Sequence, residues 1–281
     1  MPSWNIHIAQ TEELLARGGA LARAVRDRNA FLFGNVVPDI MVGYMVPGVE
    51  EPIPYRITHF AAEEPIPKPR EGEFWDTFVA PLLRGQGRLD AEGAAGIVPI
   101  RSIGEEQESL NRVHFPKRCA GAGAPAAPAA PDAAPSRCEL RRSTLDLVLG
   151  AWAHLLADNL WNTRVNEYLD AHGGKPSEQF RIKKQADFDA FGRTRRIASV
   201  PQASERLLLA AEAFPQYPLK RRFVLEAVGV AHEIVRTNGG FEEHAAYRLL
   251  TDEFFANTFA EVLEATEARF AERAEISGHG A

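Results

Sequence analysis

His154 and Asp158 stand one helical turn apart inside GAWAHLLADNLWN (150–162), a stretch whose other residues are those of a buried helix. Ala151, Ala153, Leu155, Leu156, Ala157 and Leu160 supply apolar filling, and Trp152 and Trp161 add bulk. Side chains at i and i+4 lie on one helix face, about 5–6 Å apart at Cβ. Burying a charge is costly unless it is paired or bound to a metal. The pair therefore forms either a buried hydrogen-bonded couple or part of an ion site.

Other residues of the same chemistry lie in structured or apolar surroundings. His7 follows Trp4 in SWNIHIA, Asp39 sits in GNVVPDI, and His59 stands near the end of PYRITHF. With His154 and Asp158 they offer three imidazoles and two carboxylates, a donor set that suits zinc or another borderline divalent metal. Spacing along the chain does not by itself assemble them. Asp187 in KKQADFDAF and His232-Glu233 in VAHEIVR are secondary candidates, weighed against a solvated helix carboxylate and a helix-surface or core histidine. His172, against Gly173-Gly174, reads as a solvated residue at a helix end, and His114, His244 and His279 as surface residues.

The elements that must position these groups are helical. Thr11 is a candidate N-cap within an amphipathic helix over 8–28, with Leu14, Leu15, Leu21 and Val25 apolar. Close-set Gly and Pro make 29–60 mostly loop, with a short helix after Pro38. A helix is expected over 73–85. The Ala/Pro/Gly tract at 119–136 cannot build a packed core and predicts a flexible insertion at about 117–138. A long helix follows from about 143 to 171, with Ser143 as N-cap and Gly173-Gly174 as its stop. A further helix is expected over 184–199, and helical apolar spacing recurs in SERLLLAAEAF, KRRFVLEAVGVAHEIVRTNGG and the segment from His244 onward. No stretch alternates with period two. The expected fold is all-α, one multi-helix domain spanning 1–281.

Charge and composition narrow the partners. The formal net charge is −6, which gives no reason to expect specific nucleic-acid binding, since that favours a basic stripe. A phosphate ester stays open as substrate, because a bound metal supplies local positive charge. No run of 18 apolar residues is present, so no transmembrane segment is expected. The first residues lack a basic stretch followed by an apolar one, which makes a cytoplasmic location the expectation. Cys119 and Cys138 bracket the Ala/Pro tract; they could close it as a disulfide, but a cytoplasmic setting favours free thiols.

Four ordered pieces resemble the bacterial zinc-dependent phospholipase C family, an all-helical fold shared with single-strand-specific zinc nucleases. They are WNIHIA (4–9), FLFGNVVPDI (31–40), THF (58–60) and LGAWAHLLADNLWN (149–162). The resemblance covers roughly the first 160 residues. It implies that His7, Asp39, His59, His154 and Asp158 gather one or two zinc ions. Asp158 would bridge, with Asp39, His59 and His154 on one metal and His7 on a second. Two features depart from the family pattern. Trp4 lies behind Met-Pro-Ser, whereas the family's tryptophan begins the mature chain and binds metal through its amine. Asn159, Trp161, Asn162 and Arg164 occupy the region where the family places further ligands.

The implied activity is hydrolysis of a phosphodiester or phospholipid by a metal-activated water, with Asp39 as ligand or general base. Asn159 or Asn162 is a candidate to orient a ligand histidine, against simple helix packing. Trp4, Phe60, Trp152 and Trp161 are candidates to line an apolar pocket, against simple core packing. The competing expectation is a non-catalytic helical protein in which a metal pins the N-terminal loops to the long helix.

Overall fold

The computed structural model describes residues 2–62, 64–89, 135–238 and 245–278. The architecture is all-α: among the described residues there is no strand, and the only β-type pairing is an isolated antiparallel bridge between Ala61 and Pro69. Most of the expected insertion, with Cys119 and His114, lies outside the described residues, as do His244 and His279.

The organising element is a 35-residue helix, Arg137–Ala171, which we number α8. It begins six residues before the expected start at Ser143. Ser136 is the N-cap and forms a reciprocal capping box with Glu139, satisfying two amide groups that a helix start otherwise leaves bare. The tail of the predicted insertion, Arg137 and Cys138, is thus the first turn of α8, and Cys138 is a free, exposed thiol. At the other end His172 is the C-cap and Gly173 turns left-handed at φ +65°. Gly174 N–H then donates to Leu169 O at 2.9 Å, the reverse turn that only glycine enters cheaply. Between these ends α8 is buried almost without interruption from Ser143 to Asn162.

Shorter helices wrap this axis. The first expected helix is two: α1 (Trp4–Arg17), which starts at Ser3 rather than near Thr11, and α2 (Ala20–Ala24), separated where Gly18 adopts φ +64°. Thr11 is buried inside α1 and donates back to His7 O at 2.8 Å. The 29–60 region carries three short helices, α3 (Arg28–Gly34), α4 (Val37–Ile40) and α5 (Tyr55–Thr58). Beyond it α6 (Glu71–Phe74) runs through a π-helical stretch, Trp75–Val79, into α7 (Ala80–Leu89). After α8 come α9 (Glu178–Arg193), α10 (Glu205–Glu212), α11 (Arg221–Asn238) and α12 (Asp252–Gly278). The predicted 184–199 helix therefore starts and stops six residues early, capped by Ser177, whose hydroxyl accepts from Phe180 N.

A close helix crossing sets the position of the site. At Gly34 an added Cβ would lie 2.0 Å from Leu147 O, and at Gly150 it would lie 2.3 Å from Phe31 O. Two glycines face each other, so α3 and α8 meet backbone to backbone. That crossing delivers Asn35, and after it Asp39, to the middle of α8 beside His154. Helix α1 packs against α9 and α12 and brings His7 to the same level.

Candidate metal centre

Four local devices deliver the five expected residues. His154 and Asp158 come from one face of α8, and His7 from the buried face of α1. Asp39 lies in the single turn of α4. His59 caps α5, and the next residue, Phe60, takes the left-handed φ of +52°. A non-glycine residue held there carries strain. Its ring is fixed edge-on to Phe74 and Phe78, both at 5.7 Å between centroids, and the reversal turns His59 inward.

All five side chains converge, and all are at least 95% buried. His59 Nε2 lies 3.2 Å from His154 Nε2 and 3.4 Å from Asp39 Oδ1. His7 Nε2 is 3.4 Å from Asp158 Oδ1, and Asp158 Oδ2 is 3.7 Å from His59 Nε2 and 3.8 Å from His154 Nε2. Two overlapping groups have one donor atom from each residue within 4.8 Å of the others: Asp39, His59 and His154, and His7, His154 and Asp158. A tetrahedral zinc site with bonds of about 2.0–2.1 Å has donor-to-donor edges of roughly 3.3 Å. The spacings of 3.2 and 3.4 Å match such edges.

The hydrogen-bond network decides which imidazole nitrogens carry protons. His154 Nδ1 faces the Asn35 carbonyl at 2.8 Å, so it must be the donor, which in a neutral ring leaves the lone pair on Nε2. Thr58 Oγ1 donates to Tyr55 O and lies 2.8 Å from His59 Nδ1. With the Thr58 proton on Tyr55 O, His59 donates from Nδ1 and turns a lone pair inward from Nε2. Two lone pairs 3.2 Å apart, with carboxylate oxygens beside them, repel unless a cation lies among them. His7 has no hydrogen-bond partner for either nitrogen, and Asp158 Oδ1 has none. Buried polar atoms left unpaired are costly; here each is a donor atom turned toward one cluster.

Charge states agree with a cation site. Burial, reinforced by His154, pushes the His7 imidazole down to about 4, and Asp158 only partly offsets this. Burial likewise lowers His59. For Asp158 burial pushes the carboxyl up, but the imidazoles of His154, His7 and His59 outweigh it and hold it below the usual carboxylate range. Asp39 follows the same pattern, burial being overcome by His59 and His154. His7 and His59 are thus pushed toward the uncharged form and Asp39 and Asp158 toward the charged one, the protonation states that metal ligands require.

Besides Thr58, three polar groups hold this arrangement. Trp4 Nε1 donates to Asp39 Oδ2 at 2.9 Å, and Tyr55 OH donates to Asp158 Oδ2 at 2.9 Å while its ring stacks on His59 at 3.7 Å. The third is the Asn35 carbonyl. Tyr55 stands four residues before His59, the same one-turn spacing that singles out His154 and Asp158, and that signal was available in the sequence. The Asn35 carbonyl carries no sequence signal, being a backbone atom.

Other expected participants lie elsewhere. Asp187 is buried, but its carboxylate accepts the backbone N–H groups of Arg248, Leu249 and Leu250 at 2.7–2.9 Å. It anchors the loop before α12. His232 Nε2 bonds Pro201 O at 3.0 Å, and exposed His172 bonds Tyr168 O. Asn159 and Asn162 donate to Pro69 O and Pro67 O, both at 2.7 Å, and so hold the 61–70 loop instead of orienting an imidazole. Trp152 packs on Trp75 and Trp161 on Phe188, as core. Trp4 is the one member of the expected aromatic lining that bonds a ligand side chain.

No protein-family model, curated protein or solved structure matches the chain. Among the described residues no helix is long and apolar enough to cross a membrane.

Proposed function

We propose that this protein is a divalent-metal-dependent phosphoesterase, resembling zinc-dependent phospholipase C, that hydrolyses a phosphodiester or phospholipid. The observation that carries the reading is the inward pair of histidine lone pairs, 3.2 Å apart and flanked by two carboxylates. Asp39, His59 and His154 would hold one cation, with His7 and Asp158 beside them for a second. A bound divalent ion would polarise a phosphoryl oxygen and make water acidic enough to attack at neutral pH. Asp39 would serve as a ligand or, through the oxygen that Trp4 does not engage, as the general base that takes a proton from the attacking water. Tyr55 keeps its own proton, because burial and Asp158 push its hydroxyl well above the usual range, and so remains a donor. The Asn35 carbonyl and Thr58 would hold the His154 and His59 rings in the tautomer that turns Nε2 toward a bound ion.

A structural metal is the second reading, and the observation favouring it is the enclosure of all five side chains beneath the Tyr55 ring. A structural zinc is closed by protein ligands, whereas a catalytic one keeps an open position. The test begins with metal content by mass spectrometry for wild type, His59→Ala, His154→Ala and Asp158→Asn. Stoichiometric zinc in wild type, lost in the variants together with a lower melting temperature, is the expected result. Carefully prepared wild type without metal sinks both readings. Hydrolysis of bis(4-nitrophenyl) phosphate by the loaded protein, absent in Asp158→Asn, separates the enzyme from the structural site.

A further inference from the structure

The five ligand side chains are so deeply enclosed that neither an ion nor a phosphoryl group reaches them unless something moves. Of the groups that bond or stack on them, the Trp4 indole, the Thr58 hydroxyl and the Asn35 carbonyl belong to buried residues. Tyr55 differs, because it is partly exposed and touches two ligands at once. Its ring lies over His59, 3.7 Å between centroids and 22° from parallel, and its hydroxyl donates to Asp158 Oδ2 at 2.9 Å. The same hydroxyl meets the Asn162 side chain. Tyr55 therefore runs from the surface to the ligands. The element that carries it is slight: α5 is one turn long, and its N-cap, Pro54, makes no side-chain capping bond. Pro54, Arg56 and Ile57 around it are exposed. The inner end is firm by contrast. Thr58 and His59 are buried, and the Phe60 ring is fixed against Phe74 and Phe78. Tyr55 is thus held inward by its hydroxyl and its ring, and its side chain can turn outward while His59 stays in place.

We infer that Tyr55 is the gate of the metal centre: its side chain turns outward to admit the ion, and afterwards the phosphoester, along the face of His59. The inference rests on the metal-centre reading above. It reconciles enclosure with hydrolysis, because a catalytic metal needs an open position, and a turned Tyr55 bares Asp158 Oδ2 and one face of His59. Closing again excludes bulk water from the reaction. A gate also has a kinetic signature that a positioning role lacks. The bond to Asp158 closes the site with or without metal, so deleting it raises the open population of both forms. Uptake and release then quicken together. A residue that only aims Asp158 at the ion quickens release and leaves uptake alone.

The test uses the full-length protein and zinc alone as probe, in a stopped-flow instrument. Uptake by metal-free protein and release from loaded protein are each followed by exchange with a chromogenic chelator. In Tyr55→Phe both rates should rise by about tenfold or more, the weight of one hydrogen bond to a charged group, with the affinity little changed. Tyr55→Ala removes the ring as well and should speed both further. Phe at wild-type rates, with Ala faster in both directions, places the barrier in the ring and supports the gate. Faster release with unchanged uptake in both variants makes Tyr55 a positioning residue for Asp158 and overturns the gate. Wild-type rates in both variants overturn it too, and either result leaves the metal centre standing. Wild type that takes up no zinc overturns the earlier reading and this one together.

Discussion

At the scale of single residues, the centre depends on groups that are not ligands. Asp39 is aimed by one hydrogen bond from the Trp4 indole, and both side chains are buried. Partners that orient a metal ligand typically account for 10–100-fold in metal affinity. Trp4→Phe keeps the aromatic bulk and deletes only the donor. Zinc affinity, measured by competition with a chromogenic chelator, should fall within that range while helix content by circular dichroism is unchanged. Unaltered affinity would mean that Asp39 is held by α4 alone. The sequence exposes the five candidate ligands because their types are unusual in apolar surroundings. It hides the role of Trp4 because a tryptophan among apolar residues looks like core whether or not its N–H is used.

At the scale of elements, the site is only as well placed as the crossing of α3 over α8. An Ala Cβ at position 150 would meet Phe31 O at 2.3 Å and Asn35 N at 2.9 Å. Those are backbone atoms, so the helices themselves must part. Overpacking of this kind costs about 1–3 kcal/mol, and it shifts the Asn35 carbonyl that fixes the His154 tautomer. Gly150→Ala should therefore lose stability and zinc affinity together. Gly229, in α11, offers the contrast, because nothing lies within 4 Å of an added Cβ. There alanine should stabilise by about 0.5–1 kcal/mol through helix propensity and leave metal binding alone. Urea unfolding of both variants checks the pair; equal effects would rule out the crossing as the cause. Periodicity made the long helix legible, but not its start. Ser143 looks like a cap because the apolar pattern begins two residues later. In the fold it is buried, donates to Asp27 at 2.6 Å and accepts from Arg206, while Ser136 does the capping. The glycine pair is equally hidden, since nothing local marks which helices will touch.

At the scale of the whole molecule, the cluster ties α1, α4 and α5 to the central helix, so its protonation should govern global stability. All-α architecture was readable from periodicity alone, whereas bringing residues 7, 39, 59 and 154 to one point depends on long-range packing that no local pattern carries. The pH response follows from that packing. An imidazole in the unfolded chain titrates near 6.5, whereas folded His7 is pushed down to about 4, chiefly by burial. Below pH 6.5 the unfolded chain takes up a proton that the folded protein refuses. The stability from this group is therefore complete above about 6.5 and is lost as pH falls toward 4. His59 shifts in the same direction. Asp39 and Asp158, held low, retain their contribution until the solution is more acidic than about pH 4. For metal-free protein, linkage assigns His7 a loss of about 2 kcal/mol between pH 7.5 and pH 5. Urea unfolding at those two values should show at least that decrease, and His7→Leu should reduce it by about the same amount. Bound metal steepens the response, because protons compete for the same imidazoles. Zinc-loaded protein should release its ion over the same interval, and its melting temperature should then fall to that of chelator-treated protein. Stability that does not change between pH 7.5 and pH 5 would show that these histidines are not held uncharged by the fold, and the cation site would lose its electrostatic basis.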